Sequence, residues 1–321
     1  MSSPVSVSGL SYAYPAARGG NSRLALNHLS FDVSAGEMFG VLGPNGGGKS
    51  TLFKILATLL RPGSGRVRLF GQDTQAARGT RKRMGVVFQN PSLDLRLTCE
   101  ENLLYQGRLY GLSGRDLARR VDDALGLYRL EDRRRDWAGS LSGGLRRRLE
   151  LAKGLIHDPD LLLLDEPTVG LDPGARKELW DHLGRIRGSR KITILLTTHL
   201  MDEAERCDRL MLLHEGRLTA EGTPEVLKGE IGGDVITLET EQPDTLLAGV
   251  RERFQAEAAR LGEHVRIERK QGHSFIPQLV EAFPGLIRSV HLSKPTLEDV
   301  FIHHTGRGFW NEGAQQESRG T

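Results

Sequence analysis

Cysteine is nearly absent. Cys99 and Cys207 are the only two in 321 residues, and no metal-ligand spacing surrounds either. That argues against a disulfide framework and a cysteine-ligated zinc site, and predicts two free thiols in a reducing compartment. Long apolar runs are missing as well. The strongest, Leu161–Leu164 and Ile192–Leu196, are strand-sized and far too short to cross a bilayer. The opening stretch MSSPVSVSGLSYAYP lacks a basic-then-apolar signal pattern. If the protein works at a membrane, the spanning helices are expected from another chain. Charge of one sign is also lacking: 44 basic against 41 acidic residues leave a net charge of +3, too small to argue for a nucleic-acid partner. No internal repeat or long low-complexity tract is present. The remaining composition, 26% charged and 38% hydrophobic, is that of a globular protein with room for a large domain and a smaller one.

Glycine, by contrast, is abundant and clustered. The run Gly43-Pro44-Asn45-Gly46-Gly47-Gly48-Lys49-Ser50-Thr51 fits the pattern G-x-x-x-x-G-K-[ST]. It follows a short apolar strand (Met38–Leu42) and opens a helix predicted over Lys49–Leu60. Glycines let such a loop turn its N–H groups toward phosphates, with Lys49 reaching the β- and γ-phosphates and the Ser50 hydroxyl reaching Mg²⁺. A chance match among 39 glycines is the competing explanation, and the strand–loop–helix context weighs against it. A second cluster, Ser142-Gly143-Gly144, precedes an apolar rhythm at Leu145, Leu149, Ala152 and Ile156. A serine cap followed by bare glycines at a helix start is a place to hold an anion.

The strand predicted at Leu161–Leu164 ends in Asp165 and Glu166. Paired carboxylates at a strand end suit phosphoryl transfer, with Asp165 orienting a metal ion and Glu166 accepting a proton from water. A helix-capping acid explains one of them but not both. His199 ends the next apolar run; a lone histidine is usually structural, but here it closes a strand expected beside the one carrying Asp165. Gln89 follows the strand predicted at Met84–Phe88 and offers an uncharged polar group to metal or water. Tyr12 and Tyr14 offer faces for an adenine, although packing explains either equally well. The clusters RGTRKR (78–83), DRRRD (132–136) and RRR (146–148) read most simply as solvated faces. Contact with acidic loops of a membrane partner or with lipid headgroups is the sharper reading. His303-His304 lack further ligand spacing, so no metal is expected there.

Apolar runs separated by helices predict an α/β layer fold with a mostly parallel sheet. The helical, arginine-rich stretch from about 91 to 158 is then an insertion. A helix from Pro224 to Lys228 leads to Gly232-Gly233, which punctuates a boundary near 230. Beyond it the pattern predicts a small α+β unit over 231–306: strand 235–239, helix 244–260, strand 264–269, helix 274–283, strand 286–292 and helix 296–304. The polar tail, 307–321, is predicted to be disordered.

The stretches GPNGGGKST, VVFQN, LSGGLRRRLELAKGL, LLLLDEPTVGLDP and TTHLMDEAE, in this order, resemble the ATP-binding subunit of ABC transporters over about residues 5–228. The LSGG stretch is absent from other P-loop families. LSGG followed by an apolar residue and three arginines, with KPTLEDVFIHHTGRG near the C-terminus, is similar to the daunorubicin-resistance-type, ABC type 2 exporter subgroup. The resemblance implies a P-loop NTPase core with a helical subdomain and an appended C-terminal domain. It makes Gly43–Thr51 the Walker A loop, Gln89 part of the Q-loop and Ser142–Gly144 the signature. Asp165 and Glu166 become the Walker B pair, Asp172 lies in the D-loop, His199 is the switch histidine and Tyr14 falls at the adenine-stacking position. Two departures are visible: Gly47 where alanine is commoner, and Leu145 where glutamine is. The implied ligands are ATP and Mg²⁺. The implied partners are a second copy in a head-to-tail ATP-sandwich dimer and membrane permease subunits, at the cytoplasmic face of the cell membrane. The cargo implied is a drug, lipid or polysaccharide. A soluble ATPase of the same family, in iron–sulfur assembly or as a regulatory module, is the alternative. A single cassette without sustained heptads speaks against translation and DNA-repair members.

Overall fold

The computed structural model describes residues 3–15, 22–74 and 79–306. Two long strands, β1 (Val5–Tyr14) and β2 (Arg23–Val33), pair antiparallel. Strand β3 (Met38–Leu42) runs through the glycine loop into α1 (Lys49–Leu56). Strands β4 (Ser64–Leu69) and β5 (Gln72–Asp73) complete a four-stranded sheet in the order β2-β1-β4-β5. After β6 (Met84–Val87) come three helices, α2 (Cys99–Leu109), α3 (Gly114–Leu127) and α4 (Gly143–Leu155). The chain continues through β7 (Leu161–Asp165), α5 (Pro173–Arg190), β8 (Thr193–Thr198), α6 (Met201–Ala204), β9 (Arg209–His214) and β10 (Arg217–Gly222). These build a six-stranded sheet in the order β10-β9-β3-β8-β7-β6, parallel throughout except for β9 with β10. Helix α7 (Pro224–Gly229) leads to β11 (Asp234–Glu239), α8 (Pro243–Phe254), β12 (Ala258–Leu261), β13 (His264–Arg269), α9 (Gly272–Ala282), β14 (Ser289–Ser293) and α10 (Leu297–Thr305). The last four strands form an antiparallel sheet, β12-β13-β11-β14.

The four consecutive leucines of β7 show why this sheet is central. Leu162 and Leu164 enter a core shared with α2, α3, α4 and α5, while Leu161 and Leu163 enter a second core with α1 and the first sheet. A strand buried on both faces needs an unbroken apolar run rather than alternation. The first sheet adds to the expected architecture: VSVSGLSYAY and RLALNHLSFDV alternate like half-exposed strands, with neither a glycine loop nor paired carboxylates to mark them. Helix α1 stops at Leu56 rather than Leu60; Thr58 takes a left-handed φ of 61° there. The helix expected over 244–260 ends at Phe254, because Gln255 caps it in the left-handed region and the chain then returns as β12. The final strand lies at 289–293 rather than 286–292. The expected disordered tail and Arg78 fall outside the described residues.

The C-terminal unit has a core of its own between its sheet and helices α8 and α9. It also shares one with the large sheet. Leu297, Val300 and Phe301 of α10 and Val235 of β11 pack with Leu42, Leu210, Leu212 and Leu227. Thr296 starts α10 with a reciprocal capping box to Asp299. The fully buried Phe301 ring meets His214 edge-on at 5.3 Å. Phe301→Ala should therefore lower the stability of the full chain by about 3–5 kcal/mol, measured by denaturant unfolding.

Candidate active site

The glycine loop leaves β3 at the edge where the parallel strands end. Gly43 donates its N–H to the Thr198 carbonyl at 3.2 Å, tying the loop to the end of β8. A Cβ at Gly43 would sit 2.2 Å from the Leu213 carbonyl oxygen, so only glycine fits this approach. A Cβ at Gly47 would lie 3.1 Å from the Leu213 and Pro44 carbonyl oxygens; glycine rather than alanine relieves a tight spot. Gly216, in the β9–β10 turn, donates to the Gly47 carbonyl at 3.0 Å and braces the loop from outside. Gly48 caps α1 without a side chain, and no acid sits in the first turn. The N-terminal N–H groups and the positive end of the helix dipole thus face the cavity uncompeted.

That cavity measures about 920 Å³. Asn45 through Thr51, Tyr14, Gln89, Glu166 and His199 line it, and so do Arg23, Leu24, Glu215 and Gly216. Gly43 and Pro44 are buried and do not line it; their carbonyl oxygens accept from Lys49 Nζ at 2.7 and 3.0 Å. Lys49 is also 3.3 Å from Glu166 Oε1. Burial pulls the Lys49 ammonium below its usual range, and Glu166 counters that. The other oxygen, Glu166 Oε2, accepts from Gln89 Nε2 at 3.2 Å and lies 3.3 Å from His199 Nδ1. Burial alone would push the Glu166 carboxyl up. The His199 hydrogen bond and the Lys49 charge outweigh it and hold the group below its usual value. Three side chains, reached from β3, β6 and β8, therefore converge on the one carboxylate that follows β7.

Glu166 carries a left-handed φ of 45°. Its N–H donates to both the carbonyl and the hydroxyl oxygen of Thr197 at 3.1 Å, and Thr197 Oγ1 donates to Asp165 Oδ1 at 2.6 Å. No sequence signal marks Thr197 beyond its place two residues before His199. Burial raises the Asp165 carboxyl, partly offset by that hydroxyl. Among the described residues no cluster of three or more His, Cys, Asp or Glu forms a metal cage. The Ser50 hydroxyl, the Gln89 amide and the Asp165 carboxylate are hard oxygen donors of the kind that hold Mg²⁺ together with substrate phosphates, so the residues fit that ion.

Other expected site residues lie elsewhere. The Tyr14 hydroxyl is 3.2 Å from Thr51 Oγ1 at the cavity rim, while Tyr12 meets it edge-on at 5.1 Å and packs on the core. Ser142 caps α4, accepting from the Leu145 N–H at 3.4 Å; it and Gly143 are exposed, and none of Ser142–Gly144 lines the cavity. Asp172 caps α5, accepting from the Ala175 N–H at 3.0 Å. A Cβ at Gly144 would be 3.2 Å from Ala175 Cβ, so the starts of α4 and α5 stand side by side. The arginine runs are corrected in part. Arg147 is buried, and Arg134 bridges Glu100 and Asp122 rather than standing free in solvent.

Residues 26–169 match the family described as ABC transporter. The Nod factor export ATP-binding protein I of Burkholderia lata is 43% identical over 292 residues, covering 89% of this chain and 93% of the relative. The chain belongs to the ABC transporter family. The daunorubicin resistance ATP-binding protein DrrA3 of Streptomyces coeruleorubidus is 40% identical, covering 88% and 91%. Among solved structures, cbiO1 from Clostridium perfringens, part of the cbiONQ transporter complex, aligns with a TM-score of 0.64 at 28% identity over 79% of this chain and 97% of that one. A dimeric ATP-binding cassette with bound ADP and phosphate aligns at 0.63 and 25% identity over 68% and 98%.

This ABC chain is an ATPase that powers a transporter, and the soluble alternative is set aside by those export relatives. Its fold is the α/β cassette. Among the described residues no helix is long and apolar enough to cross a membrane. Because the Lys49 ammonium stands on the loop that cradles the nucleotide, Lys49→Ala should weaken ATP binding by about tenfold or more, read by titration with a fluorescent ATP analogue.

Proposed function

We propose that the chain works as one half of a head-to-tail dimer at the cytoplasmic face of the membrane, driving export through separate permease subunits. ATP held by Gly43–Thr51 of one copy is closed over by Ser142–Gly144 of the other, with Asp172 at the same seam. The observation that carries this reading is the convergence of Lys49, Gln89 and His199 on the Glu166 carboxylate. A γ-phosphate competes with Glu166 for the Lys49 ammonium and releases the carboxylate to act as base toward water. His199 then holds the γ-phosphate, and Gln89 aligns the water. Asp165, Ser50 and Gln89 hold Mg²⁺, which neutralises phosphate charge. Tyr14 supports the adenine. The exposure of Ser142 and Gly143 supports completion from a second copy, because a helix start aimed at solvent is ready to accept an anion brought by a partner. Neither face alone surrounds the nucleotide, so ATP joins the copies and hydrolysis parts them.

In this reading residues 1–230 form the ATP-binding domain, about 91–158 its helical subdomain, and 231–306 an accessory domain. A groove of about 380 Å³ beside Gln89, lined by Phe88, Ser92, Gln106, Tyr110 and the end of α1, suits a cytoplasmic helix of the permease. The docking surface in this reading includes Asn90–Glu101, of which Ser92 lines the groove. Export is supported by the similarity to Nod-factor and daunorubicin-resistance subunits, and the cargo class is a drug, lipid or polysaccharide.

Glu166→Gln should bind ATP, hydrolyse it at least about 100-fold more slowly and accumulate as a dimer on size-exclusion chromatography with ATP. Normal turnover in that variant would remove Glu166 as the base. Ser142→Arg should leave ATP binding to the monomer unchanged while abolishing hydrolysis. A loss of monomer binding instead would overturn the shared site.

A further inference from the structure

Arg147 belongs to a run of three arginines, yet it is only 8% exposed. Its Nε donates to the Pro167 carbonyl at 2.7 Å, Nη1 to the Phe88 carbonyl at 2.7 Å, and Nη2 to the Asp165 carbonyl at 3.4 Å. Nη1 also donates to Glu150 Oε2 at 3.0 Å. Phe88 directly precedes Gln89, and Asp165 and Pro167 flank Glu166. One side chain of α4 therefore holds the backbone beside both groups. Glu150, itself buried, accepts from the Ser92 N–H. Lys153 Nζ donates to the Ser92 carbonyl at 2.5 Å. Residues 147, 150 and 153 recur every three positions along one side of α4. Together they hold the Gln89 segment at both ends, Phe88 and Ser92. The same helix begins at Ser142.

Stability alone does not explain this choice. A buried guanidinium–carboxylate pair loses its hydration, and a well-packed apolar pair is often as stable or more so. A planar fork with five donors, however, is suited to reaching several fixed carbonyls at once, which lysine or methionine is not.

We propose that Arg147, with Glu150 and Lys153, is a positioning device: from α4 it fixes the backbone on both sides of Gln89 and of Glu166, so that the two side chains keep their relative placement. This rests on the reading of Gln89 and Glu166 as the groups that handle water.

The test compares the full-length wild type with Arg147→Lys and with the double variant Arg147→Met/Glu150→Leu. Melting temperature, fluorescent-ATP affinity, kcat and KM are measured for each. Both variants should melt within a few degrees of wild type and bind nucleotide within about twofold, while kcat falls about tenfold or more at nearly constant KM. Wild-type turnover in either variant overturns the proposal, as does a loss confined to nucleotide affinity or one that tracks the melting temperature. If the double variant does not fold, Arg147→Lys decides, because it keeps a cation beside Glu150. Failure of the underlying reading shows separately, as normal turnover in Glu166→Gln.

Discussion

A single buried carboxylate balances the ends of four strands. Glu166 follows β7; Gln89 and His199 follow its two neighbours, β6 and β8, and Lys49 follows β3, one strand further along the order β3-β8-β7-β6, through the glycine loop. A parallel sheet delivers all these ends to one edge, so groups distant in sequence meet without long loops. An ionised group that is only 7% exposed persists because Lys49 and His199 offset its desolvation. The left-handed turn at Glu166 and the Thr197 brace beneath it are the local conditions for that balance.

Much of this was readable in the residues. An apolar run buried on both faces, followed by Asp165 and Glu166, announces a central strand with charge at its tip. A glycine run between strand and helix announces a phosphate cradle. Ser142 before two glycines announces a helix start. What escaped was information held in the third dimension. The strands of the first sheet carry no glycine loop or paired carboxylates, only Tyr14 at the end of β1, and Gln255 gives no advance notice that it ends α8. Arg147 looked solvated because its neighbours are arginines. Helical phase holds the missed signal: positions 147, 150, 151 and 154 share a side, and Leu151 and Gly154 belong to the buried face of α4.

The two glycine clusters differ in shape rather than in chemistry. Gly43–Gly48 are pressed against the Leu213 carbonyl and the first sheet, and wrap a concavity. Gly143 has nothing within 4 Å of where a Cβ would stand, and it projects. A concave cradle encloses an anion by itself, whereas a projecting helix start offers only a dipole and a few N–H groups. The same residue types thus give a concavity in one place and a projecting helix start in the other.

The last helix imposes an order on synthesis. Phe301 covers His214, and two residues further on Gly216 braces Gly47 in the phosphate loop. The loop therefore leaves the ribosome some 250 residues before the helix that closes the core behind its brace. Until α10 arrives, the apolar side of β9 at Leu210 and Leu212 lacks part of its cover. A nascent or clipped chain that stops before α10 therefore carries Gly43–Thr51, Asp165, Glu166 and His199 while the core behind their scaffold is unfinished.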